Sequence, residues 1–256
     1  MRILILAGLI LLTFVSCSRY QYITLSSENI PVNENSEFVA ETDTLKITYN
    51  FNGKNGPVNI AIYNKSDHAL EIDWKRSSLI IGERPFPFYQ PNQRVTGEIG
   101  NTSGSYSGQT INATIQQQEG MEFIPPHSVI YRSGHGVAHN FFNIKSFKAT
   151  TGKVNVKGFA EEIKKVSFAK DNSPLKFRSY LTLVVEGKTS EVFSVEHSFY
   201  LSEVLETKAE PAYVWPENSR KGNKFFLDES TTPGSVVGVI AGTGLIVAVL
   251  VTVFNQ

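Results

Sequence analysis

Three of the five histidines lie close together along the chain, at His127, His135 and His139. Histidine nitrogens bind transition metals and transfer protons near neutral pH, so this segment is the first candidate for a chemical site. The four-residue spacing of His135 and His139 suits one face of a helix, but Gly134 and Gly136 disfavour a helix there. On a strand the two rings would lie about 13 Å apart, too far to share one metal ion. We therefore expect ordinary surface histidines, and neither a metal nor another cofactor.

The overall charge and the absence of three common catalytic or nucleotide-binding motifs narrow the range of functions that the sequence allows. The chain has 24 basic and 24 acidic residues and a formal net charge of zero, which is not typical of nucleic-acid-binding proteins. It contains no Gly-x-Ser-x-Gly nucleophile elbow, no Gly-x-x-x-x-Gly-Lys phosphate loop and no Gly-x-Gly-x-x-Gly dinucleotide motif. These observations favour a non-enzymatic protein that has no nucleic-acid partner.

An aromatic, proline-rich segment, RPFPFYQP at 84–91, is the candidate ligand or partner contact. Its prolines restrict the backbone, and Phe86, Phe88 and Tyr89 supply three rings. If the rings are exposed, they can stack on a sugar or dock a partner. The alternative is that the segment folds over one end of the domain and buries its own rings, and the sequence favours this second interpretation.

The N-terminal residues predict export from the cytoplasm. Arg2 is followed by an uncharged apolar run from Ile3 to Val15, the pattern of a secretory signal peptide. The only cysteine of the chain, Cys17, follows Ser16 at the end of this run. The segment Phe14-Val15-Ser16-Cys17 resembles a bacterial lipobox, in which the cysteine is lipidated, although Phe14 stands where that pattern usually has leucine. The resemblance implies a signal peptide over 1–16 and an acyl chain, such as palmitate, on Cys17.

The C-terminal residues predict a second membrane anchor. Ser235 to Phe254 is a 20-residue stretch without a charge, and as a helix it would span about 30 Å, the thickness of a bilayer's hydrocarbon core. Gly234, Gly238 and Gly242 recur every four residues and would form a stripe through which two such helices can pack. We therefore expect a transmembrane helix over 235–254, which is also a candidate for self-association.

The two signals disagree about orientation. Arg220, Lys221 and Lys224 precede the C-terminal stretch, and the positive-inside rule would place this side in the cytoplasm. A signal peptide would place the same side outside. We expect the signal peptide to decide the orientation because it acts first.

Between the anchors the apolar residues alternate with a period of two. Apolar and polar residues alternate, with turn-forming residues between the runs, in Leu45 to Phe51, Val58 to Ile62 and Leu70 to Trp74. A hairpin is predicted for Phe177 to Val185 and Glu191 to Leu201. Ile163 to Phe168 predicts a further strand, and Gly158 to Lys165, which overlaps it, is the only candidate for a short helix. The sequence therefore predicts an all-β, antiparallel β-sandwich over 35–208, with an anchor spacer at 17–34 and a linker at 209–234.

One stretch of this domain resembles a known kind of module. The strand, turn and strand from Val58 to Ile81 contain Ile-x-Ile, Asn-x-Ser-Asp and Leu-x-Ile-Asp-Trp in succession. This stretch resembles immunoglobulin-like modules in bacterial envelope lipoproteins of uncharacterised function. The resemblance implies an immunoglobulin-like sandwich and a location in the cell envelope, and it implies no activity. In such a core Trp74 is expected to pack between the two sheets.

The segment Asp43-Thr44-Leu45 matches a short pattern for O-glycosylation in some bacterial envelopes, which makes Thr44 a candidate modification site.

Taken together, the residues predict a bacterial envelope lipoprotein whose β-sandwich lies outside the cytoplasm and serves binding or assembly. Its expected partners are membrane lipid, other envelope proteins, or a second copy through the C-terminal helix. The alternative is a membrane-anchored enzyme acting on envelope polymers through His135, His139 and the aromatic segment. The enzyme interpretation requires the three histidines to converge in one cleft, whereas the binding interpretation allows them to be scattered.

Overall fold

The computed structural model describes residues 19–89, 120–185, 191–215 and 221–229. These residues form thirteen strands and one short helix, which confirms the all-β prediction. The elements, in chain order, are β1 (Arg19–Ser27), β2 (Phe38–Glu41), β3 (Leu45–Asn50), β4 (Pro57–Asn64), β5 (Leu70–Ile81), β6 (Arg84–Pro87), β7 (Met121–Ile124), β8 (Val129–Gly136), β9 (Thr150–Val156), β10 (Phe159–Ser167), β11 (Lys176–Val185), β12 (Glu191–Thr207), α1 (Pro211–Val214) and β13 (Lys224–Glu229).

The strands form two antiparallel sheets. The large sheet has nine strands and contains the path β13-β1-β12-β11-β5-β6, with β7 beside β5 and the β9–β10 hairpin joined to β12 through β10. The small sheet has the order β2-β3-β4-β8. The predicted hairpin of β11 and β12 is confirmed, and its register runs from Lys176 opposite Tyr200 to Val185 opposite Glu191.

The core contains side chains from both sheets. Alternate residues of β3 and β4 are buried, as the period of two requires. Phe199 of the large sheet contacts Tyr49 and Phe38 of the small sheet, with ring centroids 5.2 Å and 5.0 Å away. Phe51 and Phe177 each lie 5.1 Å from the same ring. Edge-to-face and offset contacts of this kind favour association of the two sheets beyond the burial of apolar area.

Trp74 occupies the buried position that the sequence predicts. Its side chain is fully buried in the core. Its indole Nε1 donates to Oε2 of Glu122 at 2.7 Å, and the guanidinium of Arg132, on the small sheet, lies 4.7 Å from the ring centroid. Trp74 therefore links the two sheets through both apolar and polar contacts.

The folded region is longer than the expected 35–208. β1 lies in the expected spacer and pairs with β12 on one side and β13 on the other. β13 and α1 lie in the expected linker. The alternating positions Ile23 and Leu25 are fully buried, and so is Phe225. These apolar side chains explain why segments on both flanks join the sheet, because each buries area against it.

The expectation of a helix at Gly158 to Lys165 is wrong. These residues lie in the tight turn and β10, which pairs with both β9 and β12. Glu161, Glu162, Lys164 and Lys165 are good helix formers, but the two neighbouring strands satisfy their backbone groups, and tertiary pairing overrides intrinsic propensity.

One buried polar pair joins the sheets. The Tyr49 hydroxyl of β3 and Nδ1 of His197 of β12 are 2.9 Å apart. Burial lowers the pKa of His197 and raises that of Tyr49, so both groups are neutral at physiological pH. A protonated His197 would be a charge in an apolar environment, which is unfavourable.

This burial predicts a pH-dependent stability. Because the pKa of His197 is lower in the folded than in the unfolded chain, the unfolded chain binds the proton first as the pH falls. The free energy of unfolding should be highest above about pH 6.5 and should fall below it by at most about 1.4 kcal/mol per pH unit, until the folded pKa is reached. Urea unfolding across this range should show a shallower pH slope for His197→Gln.

The control is Ser133→Ala, which removes an exposed hydrogen bond to Asn59 but no titratable group and should keep the wild-type slope. Equal slopes for wild type and His197→Gln would contradict the assignment of this pH dependence to His197.

Candidate functional site

The first and last described strands meet at one end of the large sheet. β1 begins at Arg19 and β13 ends at Glu229, and these two residues are register partners in an antiparallel pair. An Nη1 atom of Arg19 lies 3.6 Å from Oε2 of Glu229. Thr207, the last residue of β12, lies opposite Tyr20 in the next row. We call this end of the large sheet, marked by Arg19, Thr207 and Glu229, the terminal end.

A cleft with a volume of about 620 Å³ lies at the terminal end. One wall is the polar part of the large sheet, and the other is the segment 137–149, which follows β8. A second depression, of about 450 Å³, adjoins it and shares Arg19, Lys164 and Glu206. The lining residues are Arg19, Gln21, Phe141, Phe142, Asn143, Ile144, Lys145, Phe147, Ala149, Thr151, Lys164, Glu206 and Glu229.

Gln21 fixes the second wall to the first. It lies on the same face of β1 as Ile23 and Leu25, and it is buried. Its Nε2 donates to the carbonyl oxygen of Phe142 at 2.9 Å, and its Oε1 accepts from the Phe142 backbone N–H at 2.8 Å. The side-chain amide thus makes the paired hydrogen bonds that a neighbouring strand would make. Gln21 therefore holds the middle of the 137–149 segment, whose start is also held by backbone bonds from Val137 to Gly56 and from Ala138 to Asn55.

Glu206 is the anionic centre of the cleft. Its carboxylate accepts hydrogen bonds from Nε2 of Gln21 at 2.9 Å and Nη2 of Arg19 at 2.5 Å. Burial acts to raise the pKa of Glu206, but the hydrogen bonds from Gln21 and Arg19, with the charges of Arg19 and Lys164, outweigh it and lower the pKa. The carboxylate is therefore ionised at neutral pH and held in a fixed position.

The chemistry of this cleft suits binding. Its polar groups are charged or amide side chains at fixed positions, and its apolar wall contains the rings of Phe141, Phe142 and Phe147. The Arg19 guanidinium lies 5.8 Å from the Phe141 ring centroid. Convergent polar groups beside aromatic walls are typical of ligand sites. The described lining includes no histidine, cysteine or serine, and its two carboxylates, Glu206 and Glu229, are both paired with Arg19.

The candidate histidines do not converge. His127 precedes β8 and its Nε2 lies 2.9 Å from Oδ1 of Asp67, whereas His135 lies at the opposite end of the same strand. His135 and His139 are exposed. Across the described ranges, no group of three His, Cys, Asp or Glu side chains is arranged to hold a metal ion. The convergence that the enzyme interpretation requires is not formed.

The three rings of the aromatic segment have different environments. Phe86, in β6, is 36% exposed, and the Arg84 guanidinium lies 5.8 Å from its centroid. Phe88 is buried edge-on against Trp74, with centroids 5.9 Å apart. Tyr89 is half-buried, with Nζ of Lys75 5.3 Å from its ring. Of the three, Phe86 has the greatest access to a partner.

Other predicted sites lie at the surface or outside the described residues. Thr44 is exposed in the turn between β2 and β3, where its carbonyl accepts from the Lys65 N–H at 2.8 Å. Cys17, the signal peptide at 1–16, the glycines 234, 238 and 242 and the stretch 235–254 lie outside the described residues. Within the part that is described, no helix is long and apolar enough to cross a bilayer.

The sequence patterns did not identify Arg19, Gln21, Lys164 or Glu206 as site residues. One signal was present in β1, where Gln21 precedes Ile23 and Leu25 on the same alternating face. A polar residue in register with apolar core positions indicates a buried hydrogen-bonding role. The partner residues on β10 and β12 are more than 140 positions away and gave no such signal.

No protein-family model, curated protein or solved structure matches the chain.

Replacing Gln21 by Ala should detach the 137–149 segment from the large sheet at Phe142. The substitution leaves the backbone N–H and carbonyl of Phe142 without their side-chain partner, which we expect to lower the free energy of unfolding by about 1–3 kcal/mol. Hydrogen exchange should accelerate across 137–149, most of all at the Phe142 amide. The matched control, Ser133→Ala, removes an exposed hydrogen bond to Asn59 and should change stability by less than about 0.5 kcal/mol. Unchanged exchange in Gln21→Ala would contradict the assigned role.

Thr44 is accessible to a modifying enzyme, so its candidate glycosylation can be tested directly. If Thr44 carries a glycan, the intact mass of the native chain should exceed its sequence mass, and Thr44→Ala should remove the excess. Thr42→Ala, an equally exposed neighbour outside the motif, should retain it. An unmodified native mass would rule out the modification.

Proposed function

We propose that this chain is a non-enzymatic, membrane-tethered lipoprotein of the bacterial cell envelope. Its β domain, with an immunoglobulin-like sandwich arrangement, would lie outside the cytoplasm and serve binding or assembly close to the membrane. Cys17 would carry the lipid, and 235–254 would form the second anchor.

The observation that carries this proposal is the pairing of Arg19 with Glu229. Cys17 stands two residues before Arg19, so at most about 7 Å of extended chain separates them. Ser235 stands six residues after Glu229, a reach of at most about 22 Å. Both membrane signals therefore leave the domain beside each other, and both can enter one bilayer without strain on the fold.

The cleft supports a binding role for the domain. It lies at the terminal end and combines the fixed carboxylate of Glu206, three cationic side chains and aromatic rings. A ligand with both charged and apolar parts suits this lining. The proposed tether would hold the cleft near the membrane, where such amphipathic molecules are abundant.

Labelling with radioactive palmitate tests the lipid anchor. We expect label on the wild-type chain and on Ser18→Ala, the matched control, and none on Cys17→Ala. An unlabelled wild-type chain would overturn the lipoprotein assignment. Labelling is the appropriate measurement because an uncleaved signal peptide can itself hold Cys17→Ala in the membrane.

Protease protection tests the second anchor. An epitope tag placed after Gln256 should resist protease added to intact spheroplasts and should become sensitive when detergent opens the membrane, because a spanning helix would place the tag in the cytoplasm. Digestion of the tag in intact spheroplasts would contradict the proposed span.

A further inference from the structure

The most exposed large hydrophobic side chain described is Phe159, at 78%. It lies at the tip of the β9–β10 hairpin, next to the two-residue turn Lys157-Gly158. Both turn residues have positive φ, of 52° and 88°. This is the geometry of a tight hairpin turn whose twist matches its strands. The ring therefore projects from the tip of a regular hairpin into water, where an exposed apolar ring contributes nothing to the stability of the fold.

The register shows which way this hairpin points. Thr207 of β12 lies opposite Ile163 of β10 on one side and opposite Tyr20 of β1 on the other. Both pairings are antiparallel, so β10 and β1 run in the same direction. Phe159 precedes Ile163 by four residues, which places it about 13 Å beyond this row. The chain before Tyr20 leaves on the same side, and Cys17 lies within about 11 Å of the row.

The surroundings of the tip have the composition of a membrane interface. α1 follows β12 out of the terminal end, and Nζ of Lys157 lies 5.6 Å from the ring centroid of Tyr213. A hydrogen bond to Tyr213 raises the pKa of Lys157, so this lysine stays charged. Trp215, directly after α1, lies back over the sheet, where it packs on the buried Tyr22 with centroids 4.7 Å apart, so it is not part of the tip. Tyrosine and lysine both combine an apolar body with a polar end and suit the headgroup region.

We propose that the β9–β10 tip, Val156 to Phe159, inserts into the interface of a phospholipid bilayer, with the Phe159 ring among the acyl chains and Lys157 among the headgroups. The inference rests on the proposed membrane tether and adds a third point of attachment. With the two anchors it fixes the orientation of the domain, so the cleft at the terminal end opens close to the headgroups.

The charges near the tip define the lipid dependence. Lys157 and Lys208 are offset by Glu161 and Glu210 on the same part of the surface. Insertion is therefore driven by the apolar ring rather than by attraction to anionic lipid. We expect similar insertion into neutral phosphatidylcholine and into mixtures that contain phosphatidylglycerol.

The chain supplies a matched control for the test. Phe123, in β7, is 51% exposed. In the sheet register, Phe123 lies opposite Glu71, and Glu71 lies opposite Val184. Val184 in turn lies opposite Val192, near the start of β12. Thr207 is fifteen residues further along that strand. Phe123 therefore lies toward the opposite end of the large sheet and should remain in water.

The experiment places a tryptophan at each position in the full, membrane-reconstituted chain. All variants carry Trp215→Phe, so that buried Trp74 is the remaining native fluorophore. In phosphatidylcholine vesicles, Phe159→Trp should show blue-shifted emission that is quenched by lipids brominated on their acyl chains. After subtraction of the Trp215→Phe parent spectrum, which reports buried Trp74, Phe123→Trp should emit at a water-exposed wavelength and should not be quenched.

The outcomes separate this inference from the tether. If the chain does not float with the vesicles, the proposed membrane anchoring fails. If the chain floats but the Phe159→Trp variant emits as in water, tip insertion is overturned while the tether stands. Blue-shifted emission without quenching by brominated lipid also overturns it, because the tip would then be covered by protein, such as a second copy.

Discussion

The arrangement depends on β12, whose backbone joins three other strands into one sheet. Its first ten residues pair with β11, and eight of its last nine pair with β1, while Glu203 to Thr207 also pair with β10 on the other side. β12 has 17 residues, so different parts of it can pair with different strands. These strands supply the hydrogen-bond partners that its buried backbone N–H and C=O groups need on both sides. Near the middle of β12, Phe199 contacts aromatic rings from both sheets, and this contact holds the small sheet against the large one.

The same strand determines what lies together at the terminal end. β1 brings Arg19 and Gln21, β12 brings Glu206, and β10 brings Lys164, because these residues share one row or neighbouring rows of the sheet. The small sheet's strands do not line this region, and the 137–149 segment takes their place against Gln21. Polar groups can face inward here since each is paired, whereas an unpaired one would destabilise the fold.

The features on which the proposals depend all lie at the terminal end. The first and last described strands, the cleft and an exposed phenylalanine tip lie at one end of the large sheet. Antiparallel pairing explains this convergence, because the start of β1, the end of β13 and the start of β10 must lie at the same edge of the sheet. In the proposed arrangement, β7 and the start of β12 would lie far from the membrane.

The sequence by itself determined the all-β class, the β11–β12 hairpin and the burial of Trp74, because the period of two is a local property of each strand. It also supplied the predictions for Cys17 and 235–254, which depend on uninterrupted apolar runs. It did not reveal that β1 and β13 belong to the sheet, since each strand is stabilised by a partner far away in the chain. It gave the wrong structure for Gly158 to Lys165, where local helix propensity yields to pairing with two neighbouring strands. The cleft of Arg19, Gln21, Lys164 and Glu206 was decided by tertiary structure alone, because register between distant strands, and not spacing along the chain, brings these charges together.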